Sequence, residues 1–306
     1  MHQKYGLKDI ESVLDGNLTV KGCHYGKYFT NLRPIWTAEK DSLVFIGPEG
    51  TDKKQLINET DSEMIICSRG IRIDEVSLGS KLLILVENPR LAIARIGNTL
   101  FKPIQMYGIH PSASINPSAH IHTESYIGPF CSIGRSKVGK GTVIVGQCYI
   151  YDDVEIGKNV TIQPGSVIGA STTAGAVIKN EEGGYEDFPQ LGGVIIEDNV
   201  SIGANVCVAK GALGNTLIKK GSKLENLVQI GHNVTVGENT LIMGHSQIAG
   251  SVDVGANVWI APSVTTTNIQ SIGDNAFVGI GSVVIRNIGK GERVFGNPAK
   301  KIVSPM

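Results

Sequence analysis

An aliphatic residue recurs at every sixth position over more than half of this chain. The longest series is apolar at eleven of its twelve positions: Ile218, Leu224, Ile230, Val236, Ile242, Ile248, Val254, Ile260, Thr266, Ile272, Val278 and Val284. Shorter series with the same spacing cover 109–133, 138–168 and 196–208. A helix has a period of about 3.6 residues and a strand a period of about 2, so neither keeps this spacing. A six-residue period predicts a parallel β-helix built from hexapeptides.

Each hexapeptide supplies one short strand and one turn. Ile and Val dominate the repeated position, and such β-branched residues favour strands whose side chains stack inside the coil. Glycine often follows, as at Gly231 and Gly255, because it tolerates the close backbone approach of a tight corner. With three hexapeptides to a coil, the repeats predict about nine coils. The exposed ends and flat faces of a solenoid favour oligomers.

The first 106 residues lack the repeat and predict a separate small α/β domain. Short apolar runs that are typical of strands lie at 43–46, 64–67 and 81–86. A helix is predicted over 89–101, with Asn88 as its N-cap and Pro89 in its first turn. The predicted domains are 1–106, a β-helix over 107–289 and a C-terminal tail over 290–306.

Two insertions interrupt the repeat. The larger, 171–193, carries Tyr185 near its tip and is too long for a turn. Long loops that leave a rigid scaffold often hold functional residues, so we predict that Tyr185 contacts substrate. A loop without a function is the alternative. The smaller insertion, 209–217, adds about four residues to the period.

Composition excludes several functions. The 28 basic and 28 acidic residues cancel at pH 7, which argues against a nucleic-acid partner. No run approaches the roughly 18 apolar residues of a membrane span, and no signal-peptide core is present at the start. The five cysteines form no CxxC pair, which predicts free thiols in a reducing compartment. We therefore expect a soluble cytoplasmic protein.

Several segments, read in order, resemble one family of hexapeptide-repeat acyltransferases. They are 87–92 (Glu-Asn-Pro-Arg-Leu-Ala), 109–113 (Ile-His-Pro-Ser-Ala), 188–196 (Phe-Pro-Gln-Leu-Gly-Gly-Val-Ile-Ile), 211–216 (Gly-Ala-Leu-Gly-Asn-Thr) and 225–233 (Glu-Asn-Leu-Val-Gln-Ile-Gly-His-Asn). The family is UDP-3-O-acylglucosamine N-acyltransferase of lipid A synthesis. The resemblance covers nearly the whole chain. It implies a left-handed β-helix, an exception to the usual crossover hand, together with a homotrimer and acyl transfer to a sugar amine.

The chain also departs from this family. Ala-Lys at 209–210 stands where the family commonly has Asp-Arg, and Gly231 stands where it commonly has Ala. The family's Gly-Phe-Gly-Tyr loop is replaced near 170–174. The family stacks uracil on aromatic groups around a Phe-x-x-Asn-x-x-Tyr pattern, whereas Phe45 is followed here by Pro48 and Thr51. The first domain is therefore predicted either to bind the nucleotide sugar or only to cap the oligomer.

The segment 296–300 (Gly-Asn-Pro-Ala-Lys) resembles the ending of CoA-dependent relatives rather than a helical extension that docks acyl carrier protein. We therefore predict an N-acyltransferase that moves a short acyl group, acetyl or hydroxyacyl, from acyl-CoA to the amine of a dTDP- or UDP-linked amino-deoxy sugar. Acyl-CoA is a co-substrate, and no permanently bound cofactor is expected. The alternatives are the lipid A enzyme itself with acyl carrier protein, or a non-catalytic sugar-nucleotide-binding scaffold.

Acyl transfer from a thioester to an amine needs a base for the amine proton and hydrogen-bond donors for the oxyanion. His232 follows the inward Ile230 by two residues, so it is predicted at a corner, where a histidine suits the base. A structural corner histidine is the alternative. Asn226, Gln229 and Asn233 are predicted to orient His232 or to bind the substrate.

Further contacts are predicted elsewhere in the chain. His245, 13 residues after His232, and Phe45 are predicted to touch substrate. The backbone N–H of Gly250 is a candidate oxyanion donor by analogy, with a plain turn glycine as the alternative. The predicted ligands of the CoA phosphates are Arg286, Arg293 and Lys300. No metal site is predicted.

Overall fold

The computed structural model describes residues 3–47, 53–70, 78–102, 106–173 and 177–301. The chain divides into two units, Met1–Ile104 and Gln105–Met306. This division lies close to the predicted domain boundary after residue 106.

The first unit is built on a mostly parallel sheet. Its helices are α1 (Leu7–Val13), α2 (Lys53–Glu59) and α3 (Pro89–Leu100), with a 3-10 turn at Ile35–Thr37. Its strands are β1 (Tyr5–Gly6), β2 (Thr19–Gly22), β3 (Tyr28–Phe29), β4 (Asn31–Leu32), β5 (Ser42–Phe45), β6 (Met64–Ser68) and β7 (Leu82–Val86). The sheet order is β2-β7-β6-β5-β4, in which β2 runs antiparallel to β7 and the other neighbours are parallel.

The predicted helix of this unit is confirmed as α3. Asn88 caps it, because the Asn88 Oδ1 accepts a hydrogen bond from the Leu91 N–H at 2.9 Å. β5, β6 and β7 coincide with the three predicted apolar runs to within one residue at each end. The sequence did not predict α1 and α2, since seven residues are too few to establish an apolar helical period.

The second unit is the predicted parallel β-helix. Its strands are β8 (Gly108–Ile109), β9 (Ser114–Ile115), β10 (His120–Ile121), β11 (Tyr126–Ile127), β12 (Ser132–Ile133), β13 (Lys137–Val138), β14 (Val143–Ile144), β15 (Tyr149–Ile150), β16 (Val154–Ile156), β17 (Thr161–Ile162), β18 (Val167–Ala170), β19 (Val177–Lys179), β20 (Tyr185–Asp187), β21 (Val194–Ile196), β22 (Ser201–Ile202), β23 (Cys207–Ala209), β24 (Thr216–Ile218), β25 (Lys223–Leu224), β26 (Gln229–Ile230), β27 (Thr235–Val236), β28 (Leu241–Ile242), β29 (Gln247–Ile248), β30 (Asp253–Val254), β31 (Trp259–Ile260), β32 (Thr265–Thr266), β33 (Ser271–Ile272), β34 (Phe277–Val278), β35 (Val283–Val284), β36 (Arg293–Phe295) and β37 (Lys300–Lys301). Successive strands turn onto successive sheets, which confirms the mainly β fold class.

Three long sheets form the walls of the β-helix in the described residues. Sheet A has the order β10-β13-β16-β21-β24-β27-β30-β33. Sheet B has the order β8-β11-β14-β17-β22-β25-β28-β31-β34-β36-β37. Sheet C has the order β9-β12-β15-β18-β23-β26-β29-β32-β35. The repeated aliphatic residues stack inside, because Ile230 pairs with Ile248 across one coil and both are fully buried.

The β-helix extends beyond residue 289, where the sequence placed the start of a tail. β36 pairs in parallel with β34, and its Val294 lies opposite Val278 and is buried. Sixteen residues separate Val278 from Val294, against the 18 that separate Ile230 from Ile248. This shorter last coil breaks the six-residue spacing, which is why the sequence predicted an end to the repeat.

The larger insertion leaves the coil where the sequence predicts. β18 ends at Ala170 and β21 begins at Val194. The loop between them carries β19 and β20, which pair antiparallel as a hairpin. The coil register resumes directly afterwards, since β16 pairs with β21.

Candidate active site

His232 and Gly250 lie one coil apart at the corner that follows sheet C. β26 pairs with β29, and each of these residues comes two positions after the inward residue of its strand. At an equivalent point of another corner, Asn226 Oδ1 accepts a hydrogen bond from the Ala204 N–H of the preceding coil at 2.7 Å. Position 250 has no side chain for that role, and the imidazole of His232 fills the space. A Cβ built on Gly250 would lie 2.4 Å from His232 Nε2.

Gly250 is required here for space rather than for backbone torsion. It is absent from the described residues with positive φ. The nearest atoms that an added Cβ would meet all belong to the His232 ring. A larger residue would therefore displace the imidazole. The alternative of a plain turn glycine does not account for this contact.

Asn233 fixes the orientation of the His232 ring. Its Oδ1 lies 3.1 Å from His232 Nδ1 and also accepts the Ala212 N–H at 2.9 Å. Its Nδ2 donates to the Gly214 carbonyl at 3.3 Å, and its N–H donates to Thr216 Oγ1 at 2.9 Å. Because Oδ1 is an acceptor, the neutral imidazole donates from Nδ1. This tautomer leaves the lone pair on Nε2.

A cavity of about 420 Å³ opens beside His232. Its lining includes Ser171, Thr172, Thr173, Cys207, Gln229, Gly231, Gln247, Gly250 and Asn268. The base of the larger insertion forms one wall, and Gln190 clamps it there. Gln190 Oε1 accepts the Thr172 N–H at 2.8 Å, and Gln190 Nε2 donates to the Thr172 carbonyl at 2.6 Å.

Gly250 also supplies a backbone donor to this cavity. It is buried, yet its N–H has no acceptor among the residues that the structure describes, although Asn268 lines the cavity from the next coil. At another corner, the Ala256 N–H donates to Asp274 Oδ1 at 2.9 Å. A buried N–H without an acceptor costs about 1–3 kcal/mol. Such a group suits the transient negative oxygen of a tetrahedral intermediate.

The structure brings together some of the predicted site residues and separates others. Gln229 points outward from β26 into the cavity beside His232. Asn226 instead caps the corner that follows sheet B and lines a different cavity. His245 is exposed at that same corner, where its N–H donates to the Asn226 carbonyl at 3.3 Å. The prediction that Asn226 orients His232 is therefore wrong within one chain.

Tyr185 and Phe45 do not line the His232 cavity as PKT-independent neighbours of the ring would. Tyr185 is 73% exposed on β20, opposite Lys179 in the hairpin. Phe45 is half-buried at the end of β5 and packs against the core of the first unit. Pro48 and Thr51, the other two positions of the aromatic pattern, lie outside the described residues.

The three predicted CoA-phosphate ligands lie on different parts of the last coils. Arg286 is exposed at the corner that follows sheet C. Arg293 belongs to sheet B, where its guanidinium lies 4.8 Å from the centre of the Phe277 ring. Lys300 lies on β37 and pairs with Phe295 of β36. The described coordinates therefore do not bring these cations into one cluster.

Lys210 is a site residue that the sequence did not predict. β23 pairs with β26 with Cys207 opposite Gln229, which puts Lys210 one coil before His232 at the same corner. The offset is 22 residues instead of 18, because the smaller insertion follows Lys210. Only correction for that insertion would have revealed the alignment from sequence.

Other chemistry finds no support in the described ranges. No three His, Cys, Asp or Glu side chains come together there to hold a metal ion. None of the described helices has the length and apolar character to cross a membrane. The five cysteines are free thiols, and only Cys23 is exposed.

Known proteins resemble this chain over the same region. The model of the bacterial transferase hexapeptide family (six repeats) matches residues 135–170. A UDP-3-O-acylglucosamine N-acyltransferase from Ectopseudomonas mendocina is 36% identical over 254 residues, which cover 76% of this chain and 69% of that protein. This chain belongs to the UDP-3-O-acylglucosamine N-acyltransferase family. The resemblance deduced from the sequence motifs is thereby confirmed.

Other members of this family match a smaller share of their length. The protein of that name from Pseudomonas savastanoi pv. phaseolicola is 35% identical over 55% of this chain and 53% of its own length. The one from Herminiimonas arsenicoxydans is 33% identical over 67% of this chain and 64% of its own length. The chain thus spans between half and two thirds of these two relatives.

Solved structures share the fold of the β-helix. LpxA from Acinetobacter baumannii aligns with a TM-score of 0.57 and 24% identity, over 63% of this chain and 73% of that one. The UDP-N-acetylglucosamine acyltransferase from Campylobacter jejuni aligns with a TM-score of 0.57 and 20% identity, over 64% and 74%. At these identities the likeness establishes the architecture alone.

Proposed function

We propose that this chain transfers an acyl group from a thioester to the amine of a UDP-linked glucosamine. The observation that carries the proposal is the arrangement of His232, Asn233 and Gly250 around one cavity. The names of the family relatives favour UDP-3-O-acylglucosamine as the acceptor, which was the alternative hypothesis. An acyl carrier protein thioester is accordingly proposed as the donor. A short acyl group carried by CoA to another amino sugar is the competing outcome of the test.

His232 is proposed as the general base. With Nδ1–H donated to Asn233, the Nε2 lone pair takes a proton from the amine as the amine nitrogen attacks the thioester carbonyl. The carbonyl oxygen becomes an oxyanion in the tetrahedral intermediate. Collapse of that intermediate breaks the C–S bond, and the imidazolium returns the proton to the departing sulfur. The products are an amide and a thiol.

The Gly250 N–H is proposed as a donor to the oxyanion. It lies against the same ring that acts as base, and no described residue accepts from it. A preorganised donor at this position would stabilise the intermediate more than the ground state, and one such donor is worth roughly 100-fold in rate. Gln229 and Gln247, which line the cavity, are proposed to bind acceptor or donor.

The subunit arrangement remains a prediction. The family resemblance implies a homotrimer, and a β-helix with three flat sheets suits side-by-side association. Light scattering on the purified protein would measure the mass directly. A monomeric mass would contradict the prediction without affecting the assignment of His232.

The proposed function is tested by thiol release from purified protein. UDP-3-O-acylglucosamine and a panel of UDP- and dTDP-linked amino sugars are each paired with acyl carrier protein thioesters and acyl-CoA. Turnover with the carrier protein and UDP-3-O-acylglucosamine supports the proposal. Turnover only with acyl-CoA and another amino sugar replaces it with the competing function. Binding of sugar nucleotide without turnover of any pair would leave the non-catalytic scaffold.

A matched pair of variants isolates the base. His232→Asn should lower kcat by roughly 100-fold or more, because proton transfer by a positioned side chain contributes that much. His122→Asn is the control, since His122 is exposed on an early coil and does not line the cavity. Unchanged turnover of His232→Asn would remove the general-base assignment.

A further inference from the structure

A second cavity, of about 540 Å³, lies on the same sheet and corner as the His232 cavity. Its lining includes Tyr149, Tyr151, Asp152, Ser171 and Lys210. Ser171 lines both cavities, so the two are neighbours along the sheet C corner. The proposed mechanism uses none of the residues special to this second cavity.

Two tyrosines give this cavity an aromatic surface. The rings of Tyr149 and Tyr151 lie 4.5 Å apart between centroids and are tilted by 44°. They are 46% and 40% exposed. The preceding outward residues of sheet C are the small polar Ser114 and Ser132, so no apolar patch explains the pair. Exposed aromatic faces of this kind stack on nucleobases, with little dependence on which base is present.

Polar groups accompany the tyrosines. Lys210 is half-buried, and no carboxylate lies within ion-pair distance of it among the described residues. Its cationic charge is therefore available to an anionic ligand such as a diphosphate. Asp152 already accepts the Arg135 N–H at 2.7 Å, and the Arg135 guanidinium lies 4.0 Å from its second oxygen. This partial neutralisation leaves a carboxylate that can still accept ribose hydroxyls.

The order of these groups along the corner fits one extended ligand. Three coil steps lead from Ile150, beside the tyrosines, to Ile230, beside His232. At about 4.8 Å a step, the separation is roughly 14 Å. Lys210 stands between them, one step before His232. A nucleoside diphosphate sugar has the same sequence of groups, with base, diphosphate and sugar in line.

We infer that Tyr149, Tyr151 and Lys210 form a nucleoside-diphosphate subsite on the β-helix. The tyrosines stack on the base, Lys210 binds the diphosphate, and the amine of the sugar reaches His232. The inference rests on the proposed function, because it takes the acceptor to be nucleotide-linked. It also gives the nucleotide an aromatic surface within the second unit, since Phe45 of the first unit packs against its own core.

Calorimetric titration with UDP alone tests the subsite. The double variant Tyr149→Ala/Tyr151→Ala should weaken UDP binding by roughly 10-fold or more, and Tyr149→Phe/Tyr151→Phe should restore it, because stacking needs the ring and not the hydroxyl. Tyr126→Ala is the matched control, since Tyr126 points outward from sheet B and does not line this cavity. The double alanine variant should raise KM for the acceptor and leave kcat nearly unchanged.

Smaller probes separate the two parts of the subsite. Lys210→Gln should weaken binding of UDP and of inorganic pyrophosphate, whereas the tyrosine variants should affect UDP and not pyrophosphate. UDP binding that is absent from the wild type, or equal in the double alanine variant, overturns the inference. A changed mass in light scattering with unchanged UDP binding would assign the tyrosines to a subunit interface and would likewise overturn it.

The outcomes distinguish this inference from the proposed function. His232→Asn should bind UDP like the wild type while losing turnover, because the base does not contact the nucleotide. Tyrosine-dependent UDP binding without turnover of any substrate pair would retain the subsite and remove the acyltransferase proposal. Turnover that needs His232 but not the tyrosines would do the reverse.

Discussion

The imidazole of His232 occupies the space that a side chain at position 250 would need. An added Cβ on Gly250 would lie 2.4 Å from Nε2 and 2.8 Å from Cε1 of the ring. The corner thus exchanges an Asn or Asp cap for room beside a basic nitrogen. The same exchange leaves the Gly250 N–H without an acceptor in the described part of the chain. One glycine therefore positions the base and supplies an oxyanion donor.

Gly250→Ala should lower kcat by roughly 10- to 100-fold with little loss of stability. The methyl group would push the imidazole away, and a misplacement of about 1 Å can cost 100-fold in rate. The backbone would stay in place, because the close atoms belong to a side chain and φ is not positive. Steady-state kinetics and thermal unfolding of the same sample measure both effects.

Gly244→Ala is the control for that variant. Gly244 occupies the equivalent point of the preceding corner, where an added Cβ would meet the Asn226 carbonyl oxygen at 3.1 Å. We expect a similar small change in stability with normal turnover. Equal losses of kcat in the two variants would contradict the specific role of position 250.

Asn233→Asp should move the acidic limb of the pH profile of kcat/KM upwards by roughly one unit. A carboxylate beside His232 favours the imidazolium and so raises the pKa of the ring. The base form would then be scarce at neutral pH, and activity should recover as the pH rises. Asp tolerates the left-handed backbone that Asn233 adopts at φ 57°. The control, Asn257→Asp at φ 56°, should leave the profile unchanged.

The interior of the β-helix was readable from sequence because stacking imposes one requirement on each coil. Every sixth residue must be apolar and narrow enough to stack, as Ile230 and Ile248 are. The 18-residue step also relates His232 to Gly250, so their shared corner follows from counting. Lys210 escaped, because an insertion changed the step to 22 residues. The last coil escaped for the opposite reason, since it is shorter.

Contacts that depend on three-dimensional packing were not predictable in this way. Phe45 was assigned to substrate from a motif, but its ring packs against a core assembled from distant strands and helices. Asn226 is close to His232 in sequence, yet a six-residue repeat turns the chain onto another sheet within that distance. Sequence proximity in a β-helix therefore says less about contact than the coil register does.

Thr266→Val should lower the free energy of unfolding by about 1–2 kcal/mol although valine fits an apolar column. Thr266 is the one polar member of the longest series, and it is buried. Its Oγ1 accepts the Ala249 N–H at 2.9 Å, next to Gly250. The loss of this acceptor outweighs the gain from replacing a hydroxyl by a methyl group. Thr265→Val, at an exposed outward position, should stay within about 0.5 kcal/mol of the wild type in chemical denaturation.

Alkylation of Cys207 should inactivate the protein, at a rate that rises with pH. Cys207 is half-buried and lines the His232 cavity, so an adduct there would block substrate. Burial raises the pKa of its thiol above the ordinary 9.0. Since the thiolate is the reactive form, iodoacetamide should act slowly at neutral pH and faster as the pH approaches the raised pKa. The exposed Cys23 also reacts, so the measurement is best made in a Cys23→Ser background. Cys207→Ser should keep its activity and resist the reagent, and substrate should protect the parent protein. Inactivation that persists in Cys207→Ser, or a rate that is flat with pH, would remove Cys207 from the cavity wall.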